Sequence, residues 1–96
     1  MTFTSEALVS TDRPERYGSQ LAKHFANKID ATWEETRGTI TFPFGTAELT
    51  TEDGGLRMRA SATDQESLTR LEDVVGSHLV RFGQRDELKV EWHPAR

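Results

Sequence analysis

Two histidines occupy matching places on the two segments of this chain that read as helices. Leu21-Ala22-Lys23-His24-Phe25 lies on the first, and Val75-Gly76-Ser77-His78-Leu79 on the second. Each His follows one apolar residue by three positions and directly precedes another, so it rides the shoulder of an apolar stripe. An imidazole there is suited to metal ligation or to acid–base work near neutral pH. A metal site on one helix needs His, Asp or Glu at i and i+4. His24 has Gln20 and Lys28 at those offsets, and His78 has Val74 and Phe82. Neither helix makes a site alone. His24 and His78 can converge only across the two helices, and spacing assigns neither a third ligand nor a partner carboxylate. The reading is therefore boundary histidines, with no metal and no cofactor expected. His93, on the polar parity of the last strand beside Pro94, reads as a solvated end residue.

Other reactive constellations are weaker. The chain has no Cys, which removes thiolate chemistry and disulfides. No Ser sits in a Gly-x-Ser-x-Gly elbow. Ser77 precedes His78, but neighbours on a helix point about 100° apart and do not pair. Gly54-Gly55 joins two strand-like segments, whereas a phosphate-binding loop leads from a strand into a helix. No catalytic residue is assigned. A basic cluster remains: Arg13 and Arg16 open the first helix, beside Tyr17, while Arg81 and Arg85 close the second. If the helices run antiparallel, all four gather at one end of the helix layer. Arginine forks match a carboxylate or phosphate. Asp12, Glu15, Asp86 and Glu87 lie close in sequence and can neutralise the cluster, and Arg81 also suits the negative end of its own helix.

Bulk properties narrow the classes. The chain has 96 residues, of which 34% are hydrophobic and 29% charged. That predicts one globular domain over residues 1–96 with one small core. Twelve Lys and Arg against sixteen Asp and Glu leave a net charge of −4, which disfavours nucleic acid as a partner. No run of about 18 apolar residues offers a membrane span. Met1 to Glu6 shows neither a basic nor an apolar leader region. The expectation is a cytoplasmic protein without membrane or nucleic-acid partners.

The elements that must position these residues follow from periodicity. Phe3 to Val9 reads as an edge-like first strand. Thr11-Asp12-Arg13-Pro14 starts a helix, with Pro where its missing N–H costs nothing, and Tyr17, Leu21, Phe25 and Lys28 follow at helical spacing. Gly18 weakens that helix by up to about 1 kcal/mol relative to Ala, so packing must hold it. Thr32 to Thr36 and Thr39 to Phe44 form a hairpin around Arg37-Gly38. Pro43 cannot donate to a ladder and ends the pairing. Thr46 to Glu52 and Leu56 to Ala62 form a second hairpin through Asp53-Gly54-Gly55. Thr63 to Glu66 reads as a capping box with Thr63 at the cap. The second helix carries Leu68, Leu71, Val75, Leu79 and Phe82, and Gly83 stops it at the C′ position. Leu88, Val90 and Trp92 make a last strand, ended by Pro94. The order strand, helix, four strands, helix, strand defines an α+β class, with a largely antiparallel sheet and two helices on one face. Phe42, Phe44 and Trp92 share parity with Ile40 and Val90 and face the core. Thr39, Thr41, Glu48, Thr50, Arg57, Arg59, Lys89 and Glu91 form the opposite, solvated face.

The strings Asp12-Arg13-Pro14-Glu15-Arg16-Tyr17, Leu21-x-x-His24-Phe25, Phe42-Pro43-Phe44-Gly45 and His78-Leu79-Val80-Arg81-Phe82-Gly83-Gln84-Arg85-Asp86-Glu87 resemble the bacterial domain of unknown function 2218 family, common in actinobacteria. The resemblance spans about residues 10–92. It implies a small α+β domain of β-α-β(4)-α-β order, similar to the phosphohexomutase C-terminal domain and the TATA-binding-protein-like fold. The family carries no established activity, ligand or catalytic residues. Some members are joined to siderophore-interacting flavin reductase domains.

The functional expectation is a non-enzymatic binding or accessory domain, linked through that association to siderophore and iron metabolism. Its partner would be a small anionic ligand or a protein. The ligand- or partner-binding candidates are Arg13, Arg16, Tyr17, His24, His78, Arg81 and Arg85. Two alternatives stand beside it. One is a small enzyme using His24 or His78 in acid–base chemistry, which requires the two rings to lie close together. The other is a homodimer built through the outer sheet face.

Overall fold

The computed structural model describes residues 2–95; Met1 and Arg96, the ends of the expected domain, lie outside the described residues. Strand β1 (Phe3–Ser10) leads into helix α1 (Pro14–Ala26). Strands β2 (Asp30–Glu34), β3 (Arg37–Phe42), β4 (Gly45–Glu52) and β5 (Gly55–Ala62) follow. Helix α2 (Gln65–Phe82), a short 3₁₀ turn at Gln84–Asp86 and strand β6 (His93–Ala95) complete the order. All pairings are antiparallel, and the sheet order is β2-β3-β4-β5-β1-β6. The fold is α+β. Helix α1 packs on β2 to β5, while α2 packs on β5, β4 and β1, so both cover the same face.

The period-2 pattern of the strands drives this layering. Val9, Ile40, Leu49, Leu56 and Met58 point under the helices and meet Leu21, Leu71, Val75 and Leu79, all fully buried. The opposite face carries charges. Arg57 donates to Glu52 (Nη2 to Oε1, 3.0 Å) and to Glu6 (3.4 Å), and Arg59 donates to Glu6. Hydrogen bonding from Arg57 holds the Glu52 carboxyl below the usual carboxylate range. Leu8, 48% exposed, lies among these groups.

Several local expectations shift. Strand β1 is interior rather than an edge, because β6 pairs with its Thr4–Glu6 stretch. The first hairpin turns at Glu35-Thr36, two residues earlier than Arg37-Gly38. Glu35 takes the left-handed conformation there (φ 48°). Gly38 instead sits within β3 opposite Trp33. A Cβ there would lie 2.8 Å from the Trp33 ring, and it would also strike the Thr32 carbonyl oxygen. Asp64, not Thr63, caps α2. Its carboxylate accepts the Ser67 N–H at 2.7 Å, and that bond lowers the Asp64 pKa. A carboxylate is a stronger acceptor at a helix N-terminus than a hydroxyl.

The C-terminal region departs further. Gly83 is the last capping residue of α2 but has φ −104°, not a left-handed value. Glycine is needed there because the Leu88 side chain occupies the place of a Cβ. Residues 88–92 alternate as expected, with Leu88 buried and Val90 and Trp92 half-buried, yet they pair with no strand. Val90 and Trp92 pack across α2 at Gly76. Pairing begins only at His93, and Pro94 lies inside β6 rather than beyond it. An edge strand tolerates the missing donor. Lys89 and Glu91 belong to this unpaired segment, and they still lie beside the outward-facing Leu8 of β1, on the solvated side.

Helix α1 meets the sheet through Trp33. A Cβ on Gly18 would lie 2.5 Å from the Trp33 ring and 3.2 Å from Leu56. Gly18 and Gly38 thus leave the space the indole fills. In an exposed helix, Gly→Ala stabilises by up to about 1 kcal/mol. Here Gly18→Ala is expected to destabilise by about 1–3 kcal/mol through overpacking, read as a lower urea midpoint, and Trp33→Leu in the same chain should recover part of the loss. Ser5 carries the one buried side-chain oxygen without a partner among the described residues, so Ser5→Ala should raise stability by about 1 kcal/mol in the same assay.

Candidate functional site

The two helices run antiparallel and bring two groups of chemically active side chains together. Tyr17, in the first turns of α1, donates its hydroxyl to Asp86 Oδ2 at 2.5 Å. His24, seven residues later, lies against His78 and Phe82 of α2. Seven helical residues rise about 10 Å, so the groups mark two levels of one helix–helix seam.

The first level is the arginine end. Pro14 begins α1 and leaves Arg13 as its N-cap residue, whose backbone N–H is bonded by Thr11 Oγ1 at 3.0 Å. Tyr17 is 6% exposed, and its hydroxyl reaches the 3₁₀ turn that follows α2. This places the start of α1 beside the end of α2, as the antiparallel expectation requires. The Asp86 hydrogen bond, then burial and the Asp86 charge, push the Tyr17 hydroxyl above its ordinary value. Arg13 and Arg16 act in the opposite direction, which locates their charges near the phenol. Arg85 precedes the Asp86 that Tyr17 holds, and Arg81 lies in the last turn of α2. Arg13, Arg16, Arg81 and Arg85 are all exposed. None of them forms an ion pair among the described residues.

The second level is aromatic. The ring centroids of His24 and His78 are 5.0 Å apart, with planes tilted by 46°. Phe25 lies 5.1 Å from His24 and 4.9 Å from His78, and Phe82 lies 5.4 Å from His24. The series continues through Phe42, 5.0 Å from Phe25, to Phe44, over which the Arg70 guanidinium sits at 4.4 Å. His24 is exposed, beyond the boundary position that its spacing implies, and His78 is half-buried. His78 Nδ1 donates to the Val74 carbonyl at 2.7 Å, a bond that leaves Nε2 as the unprotonated ring nitrogen of the neutral imidazole. Neither His meets a carboxylate, and no group of three metal-ligating side chains occurs among the described residues. Ser77 donates instead to the Val74 carbonyl at 3.4 Å, so it has no part in a Ser–His pair.

A third feature escaped the sequence. An open groove of about 490 Å³ runs along α2, with Gly76, Val80, Val90 and Trp92 against Glu72 and Asp73. Its signal was Gly76 in mid-helix beside the alternation of residues 88–92, which reads as an ordinary strand until its lack of pairing is seen. Among the described residues, no helix is long and apolar enough to cross a membrane.

The class this architecture defines is a small two-layer α+β domain, one antiparallel sheet beneath one helix pair. A family model described as "Uncharacterized protein conserved in bacteria (DUF2218)" matches residues 6–93. The chain belongs to that family, and the match extends beyond residues 10–92 at both ends. Among solved structures, it is similar to the NMR structure of PA4090 from Pseudomonas aeruginosa. The two share 31% identity, with 98% of each chain covered and a TM-score of 0.81. No curated protein matches the chain.

The chain has one tyrosine, which makes the Tyr17–Asp86 bond directly measurable. Absorbance at the tyrosinate band should give a midpoint above 10, and Asp86→Asn should lower it, since the Asp86 charge and the charge-assisted bond that raise it are removed while Arg13 and Arg16 still lower it. The raised value means that this bond stabilises the fold fully below pH 10 and ceases to do so as pH rises through the native midpoint. An unchanged midpoint in Asp86→Asn would show that the bond does not form.

Proposed function

We propose that this domain is a non-enzymatic binding or accessory module whose arginine end takes a small anionic ligand or an acidic segment of a partner protein. The observation that carries this reading is the Tyr17–Asp86 hydrogen bond. It ties the start of α1 to the end of α2 and engages Asp86, one of the acidic residues next to the cluster in sequence. Arg13, Arg16, Arg81 and Arg85 then present guanidinium groups without a protein partner among the described residues. Such forks match carboxylates in pairs. Carboxylate-bearing ferric siderophores belong to that chemical class, and the family's association with siderophore-interacting reductases supports choosing them as probes.

The acid–base enzyme reading is less well supported. Its requirement that the two rings lie together is met, at 5.0 Å. It lacks a carboxylate to orient either imidazole and an enclosed site to exclude water. The outer-face dimer is also less favoured, because Glu6, Glu52, Arg57 and Arg59 already satisfy one another within one chain.

Calorimetric titration at low ionic strength with citrate and with a ferric carboxylate siderophore tests the proposal. Binding in the micromolar to millimolar range, about −8 to −4 kcal/mol, is expected. Arg16→Ala and Arg81→Ala should each weaken it several-fold, and added salt should weaken it further. Absence of heat with both ligands, or wild-type binding by both variants, would overturn the proposal.

A further inference from the structure

We propose that His24 and His78 form a two-histidine site for a borderline-soft divalent transition ion, Cu(II) foremost, held between the helices with its remaining positions open. The site does not rest on the anion reading, since it lies at the other level of the helix seam and uses different atoms. Four observations support it. First, the ring centroids are 5.0 Å apart. With metal–nitrogen bonds of about 2.0–2.1 Å, two imidazoles on one ion have centroids about 4.5 Å apart at the right-angled positions of a tetragonal ion and about 5 Å apart at a tetrahedral angle, a range that includes the observed separation. Second, His78 Nδ1 donates to the Val74 carbonyl. A metal-binding His commonly spends its other N–H in this way, which fixes the tautomer and leaves Nε2 as the ligating lone pair.

Third, Phe25 and Phe82 stand at the sides of the pair. They limit ring rotation, so less side-chain freedom is lost when an ion binds. Fourth, His24 is exposed and His78 half-buried, so an ion reaches the pair directly from solvent. Imidazole nitrogen suits Cu, Ni and Zn, and the stability order places Cu(II) highest. No third ligating side chain joins the pair among the described residues. The other coordination positions therefore go to water or to an exogenous ligand, the arrangement of an open rather than a structural site. Arg81 follows His78 by one turn of α2, so an anionic co-ligand on the ion would meet a cation on the same helix.

The test is titration of the whole chain with Cu(II) alone in a non-coordinating buffer, followed by calorimetry and by electron paramagnetic resonance. The wild type is expected to bind one ion per chain, with hyperfine structure from two nitrogens. His24→Gln and His78→Gln should each weaken binding at least about tenfold, and His93→Gln should leave it unchanged. Circular dichroism checks that each variant is folded. His24 is exposed, so His24→Gln carries the test even if His78→Gln loses structure with its Val74 bond. No binding by the wild type, binding retained in folded His24→Gln, or equal loss in His93→Gln would each overturn the proposal. Because no anionic ligand is present, none of these outcomes bears on the arginine end.

Discussion

The seating of α1 on the sheet through Trp33 is the contact on which the rest of the arrangement depends. The indole fills a space left by Gly18 on the helix and Gly38 on β3. That close approach sets how far α1 stands from the sheet and which of its faces turns toward α2. Tyr17 and Gly18 are neighbours on α1. Seating Gly18 over Trp33 leaves Tyr17 facing the end of α2, where it meets Asp86. One and two turns later the same seam carries Leu21 into the core and His24 onto His78. A small domain has few layers with which to correct a misplaced helix, so this one contact has wide consequences.

The helix pair divides the surface by chemistry. One end places Arg13 and Arg16 near a phenol–carboxylate bond, and the seam beyond it gathers imidazole and phenyl rings. The outer sheet face carries charges that pair within the chain, while the groove on α2 is apolar against carboxylates. These environments differ in sign and polarity, which favours recognition on the helical side. They follow from covering only one face of the sheet: the helix seam runs from the buried Leu21 to the exposed His24, so it joins the core to the solvent.

Much of the architecture was legible in the sequence. The alternation of Ile40 and Phe42, and of Leu56, Met58, Ala60 and Ala62, is the sheet's own period, and Leu68 to Leu79 carries that of the helix. Both survive folding because each reports which side of one element is buried. The errors fall where local signals compete. Arg37-Gly38 has turn composition, yet Gly38 is small because Trp33 lies opposite it, and Glu35 accepts the left-handed turn instead. Thr63 and Asp64 are both good caps, and the helix starts where the stronger acceptor, the Asp64 carboxylate, meets the Ser67 N–H. Leu88, Val90 and Trp92 alternate because one side faces the core, a pattern that burial against α2 produces as well as strand pairing does.

The candidate site divides along the same line. His24 and His78, the arginines and Tyr17 were recognisable from residue type and from their places on helical stripes, which are properties of single elements. Spacing could not show that His24 and His78 lie 5.0 Å apart, that Tyr17 is bonded to Asp86 sixty-nine residues away, or that Gly76 opens a groove. By itself the sequence determined element types, the buried face of each element and the net charge, because these depend on chain-local periodicity and composition. Only the tertiary structure decided which elements touch and which side chains share a site, because helix seating depends on the volume at Gly18, Trp33 and Gly38 together, and no one segment contains all three.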